Sequence, residues 1–147
     1  MSHTYATTVV HCVFSTKHRA PLIPEDRREK LWAYFLGVAR NLNIKILAIG
    51  GVSDHLHVLL SLPPARNLAK VMCDLKANSS RWMNETGKPF AWQEGYAAFS
   101  VSPGRIAAVQ HYIHHQKEHH HERSFEQEFV DLLKGAGVPY DPEHIFG

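Results

Sequence analysis

Apolar and β-branched side chains crowd the stretch from Tyr5 to Thr16, YATTVVHCVFST, which holds no Gly or Pro and predicts a strand. Arg19-Ala20-Pro21 breaks it. Pro24-Glu25-Asp26 then puts proline and acid at the start of a helix, and Leu31, Tyr34, Phe35 and Val38 recur at helical spacing to about Asn41. Ile44 to Val52 and His55 to Leu62 read as two strands joined by a tight turn at Ser53-Asp54, a hairpin closed off by Pro63-Pro64. Asn67 is placed to cap a second helix, with Leu68, Val71, Met72, Leu75, Ser79 and Trp82 on one face until Gly87. Tyr96 to Ser102 predicts a fourth strand. Ser102-Pro103 opens a third helix running to about His121, and Ser124-x-x-Gln127 starts a last one that reaches Lys134 and stops at Gly135-Ala136-Gly137. The order β-α-β-β-α-β followed by helices predicts the α+β class. Its expected form is a ferredoxin-like split βαβ fold, one antiparallel sheet with helices on one face plus C-terminal helices.

Composition narrows the class. At 147 residues the chain is expected to form one domain spanning 1–147, and folding at that length hides roughly 68–70% of the unfolded surface. Hydrophobic residues make up 44% and charged residues 20%, which excludes intrinsic disorder and fibrous repeats. The apolar runs are too short to span a bilayer and Met1 to Tyr5 carries no signal-peptide pattern, so a cytoplasmic, membrane-free protein is expected. Cys12 and Cys73 form no Cys-x-x-Cys pair, which argues against a disulfide framework or cysteine zinc site. A formal charge of +2 is weak grounds for nucleic acid. Twelve histidines are the more unusual feature, six of them between His111 and His121, where bound metal or mild acidity would add positive charge to one helix.

The chemistry concentrates in two places. In Ser53-Asp54-His55-Leu56-His57-Val58-Leu59-Leu60, strand alternation points His55 and His57 to the same side, ~6–7 Å apart along the chain, close enough to converge on one ion. The competing reading is a pair of half-buried histidines with ordinary hydrogen-bond partners. In the third helix Tyr112 and Gln116 fall one turn apart on the same face, opposed by the stripe of Ile106, Val109 and Ile113. Singly, Tyr112 could be an amphipathic core residue and Gln116 a solvated one. Together the two segments offer two imidazoles, an amide oxygen and a hydroxyl nucleophile, a set suited to metal-assisted phosphoryl transfer. Two nitrogens and one oxygen leave coordination positions open, favouring Mg²⁺ or Mn²⁺ over structural Zn²⁺.

This pattern resembles the one-tyrosine HUH transposases, the small enzymes of insertion-sequence 200-like elements and their relatives associated with repeated palindromes. The likeness rests on Tyr5, the VFSTKHR run, DHLHVLL, the FSVS strand and YIHHQKEHH, and so covers nearly the whole chain. It implies a core over 3–103 followed by a tyrosine helix and a C-terminal helix over 104–147. It further implies that His55, His57 and Gln116 bind the metal, that Tyr112 attacks single-stranded DNA with hairpin ends, and that a 5′-phosphotyrosine link and a free 3′-hydroxyl result. No nucleotide cofactor is then needed, in keeping with the lack of a Gly-rich phosphate loop at Gly50-Gly51 or Gly135-x-Gly137. Members of the family are homodimers whose tyrosine helix can serve the partner's metal site, with the Gly104 region available as a hinge.

Lys17, His18, Arg19, Lys70, Lys76, Arg81 and Arg105 are candidates for a phosphate track, and Trp82, Phe90 or Trp92 for base stacking. Asp54 could orient His55 or simply cap its turn. His111, His114, His115, His119, His120 and His121 are expected on a solvated, DNA-facing surface. Two rivals stand beside the transposase: a histidine-triad hydrolase, for which Leu59 occupies the position of the needed third histidine, and a domesticated protein that binds hairpin DNA without cutting it.

Overall fold

The computed structural model describes residues 3–145, apart from the side chains of 121 and 122. Both ends of the expected 1–147 domain, and the surface role expected of His121, therefore lie outside the described residues. Four strands, β1 (Val9–Ser15), β2 (Lys45–Gly51), β3 (His55–Ser61) and β4 (Ala97–Val101), form one sheet in the order β2-β3-β1-β4. Every neighbouring pair is antiparallel. The helices are α1 (Glu25–Asn41), α2 (Leu68–Thr86), α3 (Ile106–His114), α4 (Gln116–Glu122) and α5 (Phe125–Gly135). This is the α+β, ferredoxin-like order predicted from the hydrophobic pattern.

Both faces of the sheet are covered, which is why β1 and β3 read as continuous apolar runs instead of alternating ones. On one face Val10, Cys12 and Phe14 of β1 and Leu56, Val58 and Leu60 of β3 pack under α1 and α2, against Leu31, Phe35, Met72 and Leu75. Each such side chain contributes ~1.5–3 kcal/mol by leaving water. On the other face Val9 and Leu59 meet Ile113 of α3, while Val13 and Ala97 meet Phe125, Phe129 and Leu133 of α5. The two predicted caps form: Asn67 Oδ1 accepts from the Lys70 amide at 3.3 Å and Ser124 Oγ from the Gln127 amide at 3.2 Å. Among the described residues no helix is long and apolar enough to cross a membrane.

Two boundaries differ from expectation. The first strand starts at Val9 instead of Tyr5, whose side chain is 92% exposed. Val9 pairs with Ser61, and the neighbouring strand runs out at Pro63-Pro64, which lack the N–H groups to continue a ladder. The third helix, expected to be unbroken from Pro103 to His121, is interrupted at His115 (φ −114°, ψ 30°), so Tyr112 ends up on α3 and Gln116 on α4. The register of β2 against β3 also shifts between Ile46 and Ala48, and Gln110 Nε2 of α3 donates to the Leu47 carbonyl at 3.0 Å.

Candidate functional site

His55 and His57 open β3 on the face that carries α3, α4 and α5, and both are fully buried. Register puts Ser15 opposite His55, and Val13 and Gly50 opposite His57. His55 Nδ1 lies 2.9 Å from Asp54 Oδ1, so Nδ1–H donates to Asp54 and Nε2 is turned toward the site interior. There Nε2 stands 3.1 Å from Gln116 Oε1 and 3.3 Å from Glu128 Oε1. His57 Nε2 is 3.1 Å from the same Glu128 oxygen. Its Nδ1 is 2.8 Å from Nε2 of His11, a buried ring on β1.

Gln116, expected as the amide ligand, is 2% exposed and reaches this centre from the first turn of α4. The break at His115 helps to place it: Tyr112 O accepts from the His115 amide at 3.3 Å and from Gln116 Nε2 at 3.4 Å, which leaves Oε1 free to face His55. Tyr112 meets His57 edge to face at 5.8 Å, packs against His119 at 4.6 Å, and donates its hydroxyl to Glu128 Oε2. Beside it opens a cleft of about 350 Å³ whose walls include His11, Arg105, Tyr112, Arg123 and Glu128. The four residues singled out from the two sequence segments, His55, His57, Tyr112 and Gln116, thus converge in one place, with Asp54 behind them.

The electrostatics follow from burial. Burial drives His57 down to about 4 and His11 down to about 3, so both rings are neutral near pH 7 and have lone pairs to give. His55 is also penalised by burial, but hydrogen bonds to Asp54 and Glu128 outweigh the penalty and raise it. Burial would raise the Glu128 carboxyl, yet the hydrogen bonds with His120, His55 and His57 hold it far below the ordinary carboxylate range. Burial, followed by the Glu128 carboxylate, pushes the Tyr112 phenol above its usual value.

Two residues at this centre, Glu128 and His11, were not singled out in the sequence, and a third, His120, was expected elsewhere. Glu128 is fully buried on α5, and the legible signal was a carboxylate set among Phe125, Phe129 and Leu133 on an apolar helical stripe. His11 lay inside an apolar strand with nothing in its spacing to single it out. His120 does not belong to the solvated surface expected for it; its Nε2 stands 3.2 Å from both Gln116 Oε1 and Glu128 Oε1. Phe125 completes the wall by stacking on the His55 ring at 3.8 Å and 7°.

The phosphate-track candidates separate into two groups. Arg105 lines the Tyr112 cleft. Lys17 and His18 are exposed in the turn after β1, close to the site because the Thr16 amide donates to the Asp54 carbonyl at 2.9 Å. Arg19, in the same turn, lies 4.0 Å from Asp54 and 3.6 Å from Glu126. Lys70, Lys76 and Arg81 instead sit on α2, across the sheet. Lys70 is 3.0 Å from Asp74, Arg81 donates to Asn78, and Lys76 Nζ donates to the carbonyls of Gln93, Glu94 and Gly95 at 2.7, 3.2 and 2.9 Å. Of the stacking candidates, Phe90 and Trp92 are buried in the core with Phe14, where no base can reach them. Trp82 stacks on Tyr34 at 5.2 Å with Arg27 over its ring.

As a test of fit for a cation, the inward-facing atoms of the site are His55 Nε2, His57 Nε2, Gln116 Oε1 and Glu128 Oε1, all of which are acceptors unless an imidazole is protonated. One ligand atom each from His55, His57 and Glu128 lies within 4.8 Å of the others. Mixed nitrogen and hard-oxygen donors with one carboxylate suit a divalent ion.

Comparison with known proteins places the chain among transposases by sequence and fold. The chain is 28% identical over 127 residues to the transposase for insertion sequence element IS200 of Salmonella typhimurium, covering 80% of this chain and 82% of the relative, and equally so to its Salmonella typhi counterpart. A solved Deinococcus radiodurans R1 protein described as a transposase shares the fold with a TM-score of 0.64 at 21% identity, over 77% of this chain and 93% of that one. A REP-associated tyrosine transposase, solved bound to a REP hairpin, superposes with the same TM-score of 0.64 at 14% identity, over 97% of this chain and 92% of its own. The sequence model of the family "Transposase IS200 like" matches residues 4–116, and the chain belongs to that family of transposases.

Proposed function

We propose that this protein nicks and rejoins hairpin-bearing single-stranded DNA through a covalent link to Tyr112, with a divalent ion, Mg²⁺ or Mn²⁺, held by His55, His57 and Gln116. The observation that supports this most is the convergence, in one buried centre, of two imidazole nitrogens, an amide oxygen and the Tyr112 side chain. The solved relative's complex with a REP hairpin favours a hairpin as the DNA form.

A divalent cation bound there would draw charge from the phosphate oxygens as it builds up. Tyr112 Oη forms a bond to phosphorus while the bond from phosphorus to the 3′ oxygen breaks. The phenol proton departs and the leaving 3′ oxygen takes up a proton, which yields a 5′-phosphotyrosine and a 3′-hydroxyl. The diester's bond energy is kept in the tyrosine ester, so a second 3′-hydroxyl can reverse the step without a nucleotide cofactor. Neutral His57 and His11 keep their hydrogen bond, and Asp54 keeps the Nδ1 proton of His55 so that Nε2 faces inward. Of the phosphate-track candidates, Lys17, Arg19 and Arg105 lie on the side of this chemistry, and Lys70, Lys76 and Arg81 lie farther away for any contact with the rest of the hairpin. The protein acts in the cytoplasm as a homodimer in this reading.

The test is a hairpin strand labelled at its 3′ end, incubated with protein and Mn²⁺ and run on a denaturing gel. A protein-linked product is expected, absent from Tyr112→Phe, which still binds the hairpin. An adduct persisting in Tyr112→Phe would move the nucleophile elsewhere. Hairpin binding with no adduct in the unsubstituted protein would favour a binder that does not cut.

A further inference from the structure

We propose that Glu128 is itself a ligand of the divalent ion through Oε1 and a positioning residue for the nucleophile through Oε2, so that one carboxylate ties the ion to the Tyr112 hydroxyl. This rests on the metal-dependent reading above and adds to it a residue from α5, which lies beyond the 4–116 stretch matched by the family.

The geometry divides the carboxylate cleanly. Oε1 faces His57 Nε2 at 3.1 Å, His120 Nε2 at 3.2 Å and His55 Nε2 at 3.3 Å, while Oε2 accepts from Tyr112. A carboxylate shut away from water is costly unless charge or hydrogen bonds compensate it. Burying one on the apolar stripe of a helix is therefore a feature that needs a purpose, and the ligand atoms within 4.8 Å of one another supply it. Two imidazoles, which ligate an ion only in their neutral form, and an amide bring no negative charge to a divalent ion, whereas Glu128 brings one, on a hard oxygen of the kind Mg²⁺ and Mn²⁺ prefer. The placement of α5 is specified as well. Ser124 caps it, Phe125 stacks on His55, and Phe129 and Leu133 seat on Val13 and Ala97, which sets the rotation that aims Glu128 inward.

Calorimetric titration of the full chain with Mn²⁺, without DNA, separates the possibilities. Glu128→Gln, which keeps the shape of the side chain, is expected to lose at least tenfold in Mn²⁺ affinity, and Glu128→Ala at least as much. Tyr112→Phe is expected to stay within threefold of the unsubstituted protein. At saturating Mn²⁺, Glu128→Gln is expected to bind the hairpin normally yet form the tyrosine adduct at least tenfold more slowly in a single turnover, a split that loss of structure would not produce. Circular dichroism checks the fold of each variant. If Glu128→Gln binds Mn²⁺ within threefold of the unsubstituted protein while His57→Ala loses binding, this proposal is overturned and the histidine site stands. If both variants bind normally, the underlying reading falls, and this one with it.

Discussion

Gly50 lies so close beneath Ile113 that a Cβ on it would stand 2.3 Å from the Ile113 carbonyl oxygen. Gly50 pairs with His57 across the β2–β3 ladder, so the bare backbone of β2 is what lets the tyrosine helix settle onto the histidine strand. Gly50→Ala is therefore expected to lift α3, at about 1–3 kcal/mol of stability by overpacking. Adduct formation should fall by more than the lost stability explains. Thermal unfolding and adduct formation measured side by side decide this, and a variant unaffected in both would show that the close approach has no mechanical role.

The metal assignment has an internal order. His57→Ala removes a donor atom, whereas Asp54→Ala removes the group that orients His55 and leaves its Nε2 present. Calorimetry with Mn²⁺ is expected to show binding lost in His57→Ala and weakened only about tenfold in Asp54→Ala. Equal affinities in His57→Ala and the unsubstituted protein would rule out His57 as a ligand.

Binding should discriminate between forms of DNA. The sequence carries no helix-turn-helix or zinc-finger signature, and of the candidate cations Arg105 borders the Tyr112 cleft. With roughly four to six phosphate contacts at about −0.7 each, log affinity for a single-stranded hairpin should fall with log salt at a slope of about −3 to −4. Mobility shifts across a salt series, with a matched duplex alongside, measure both quantities. Tighter binding to the duplex would contradict the single-strand mechanism.

The two thiols should behave differently. Cys12 is fully buried in β1 and burial pushes its thiol up to about 12, while Cys73 is exposed on α2. At neutral pH a thiol reagent is expected to modify Cys73 promptly and Cys12 only as fast as the core opens. Two thiols reacting at one rate under native conditions would mean that the sheet is not closed as described.

Periodicity carried the strands, the helices and two halves of the site: His-x-His is local to β3, and Tyr-x-x-x-Gln keeps its one-turn spacing although the break at His115 divides it between α3 and α4. The joining of Glu128 and His11 to the site was not legible, for the opposite reason. Each reaches His57 from a different element, and nothing in the spacing along α5 or β1 states how those elements rotate against β3. The stop at His115 was equally silent, since no Gly or Pro marks it and the histidines around it continue a helical pattern. Phe90 and Trp92 show the reverse error: aromatic residues fit for stacking on bases are equally fit for a core, and only packing against Phe14 and Phe35 separates the two.

The interruption at His115 places one pair of non-helical torsion angles between Tyr112 and Gln116. Tyr112 belongs to one helix and Gln116 to the next, so under the proposed mechanism a turn about that joint would swing the phenol in an arc while the amide stayed at its post. Neither helix would have to unwind and the Gly50 seat beneath the first could be left as a unit. A strand end carried on Tyr112 would thereby have a route away from the place where it was cut that a continuous helix could open only by melting.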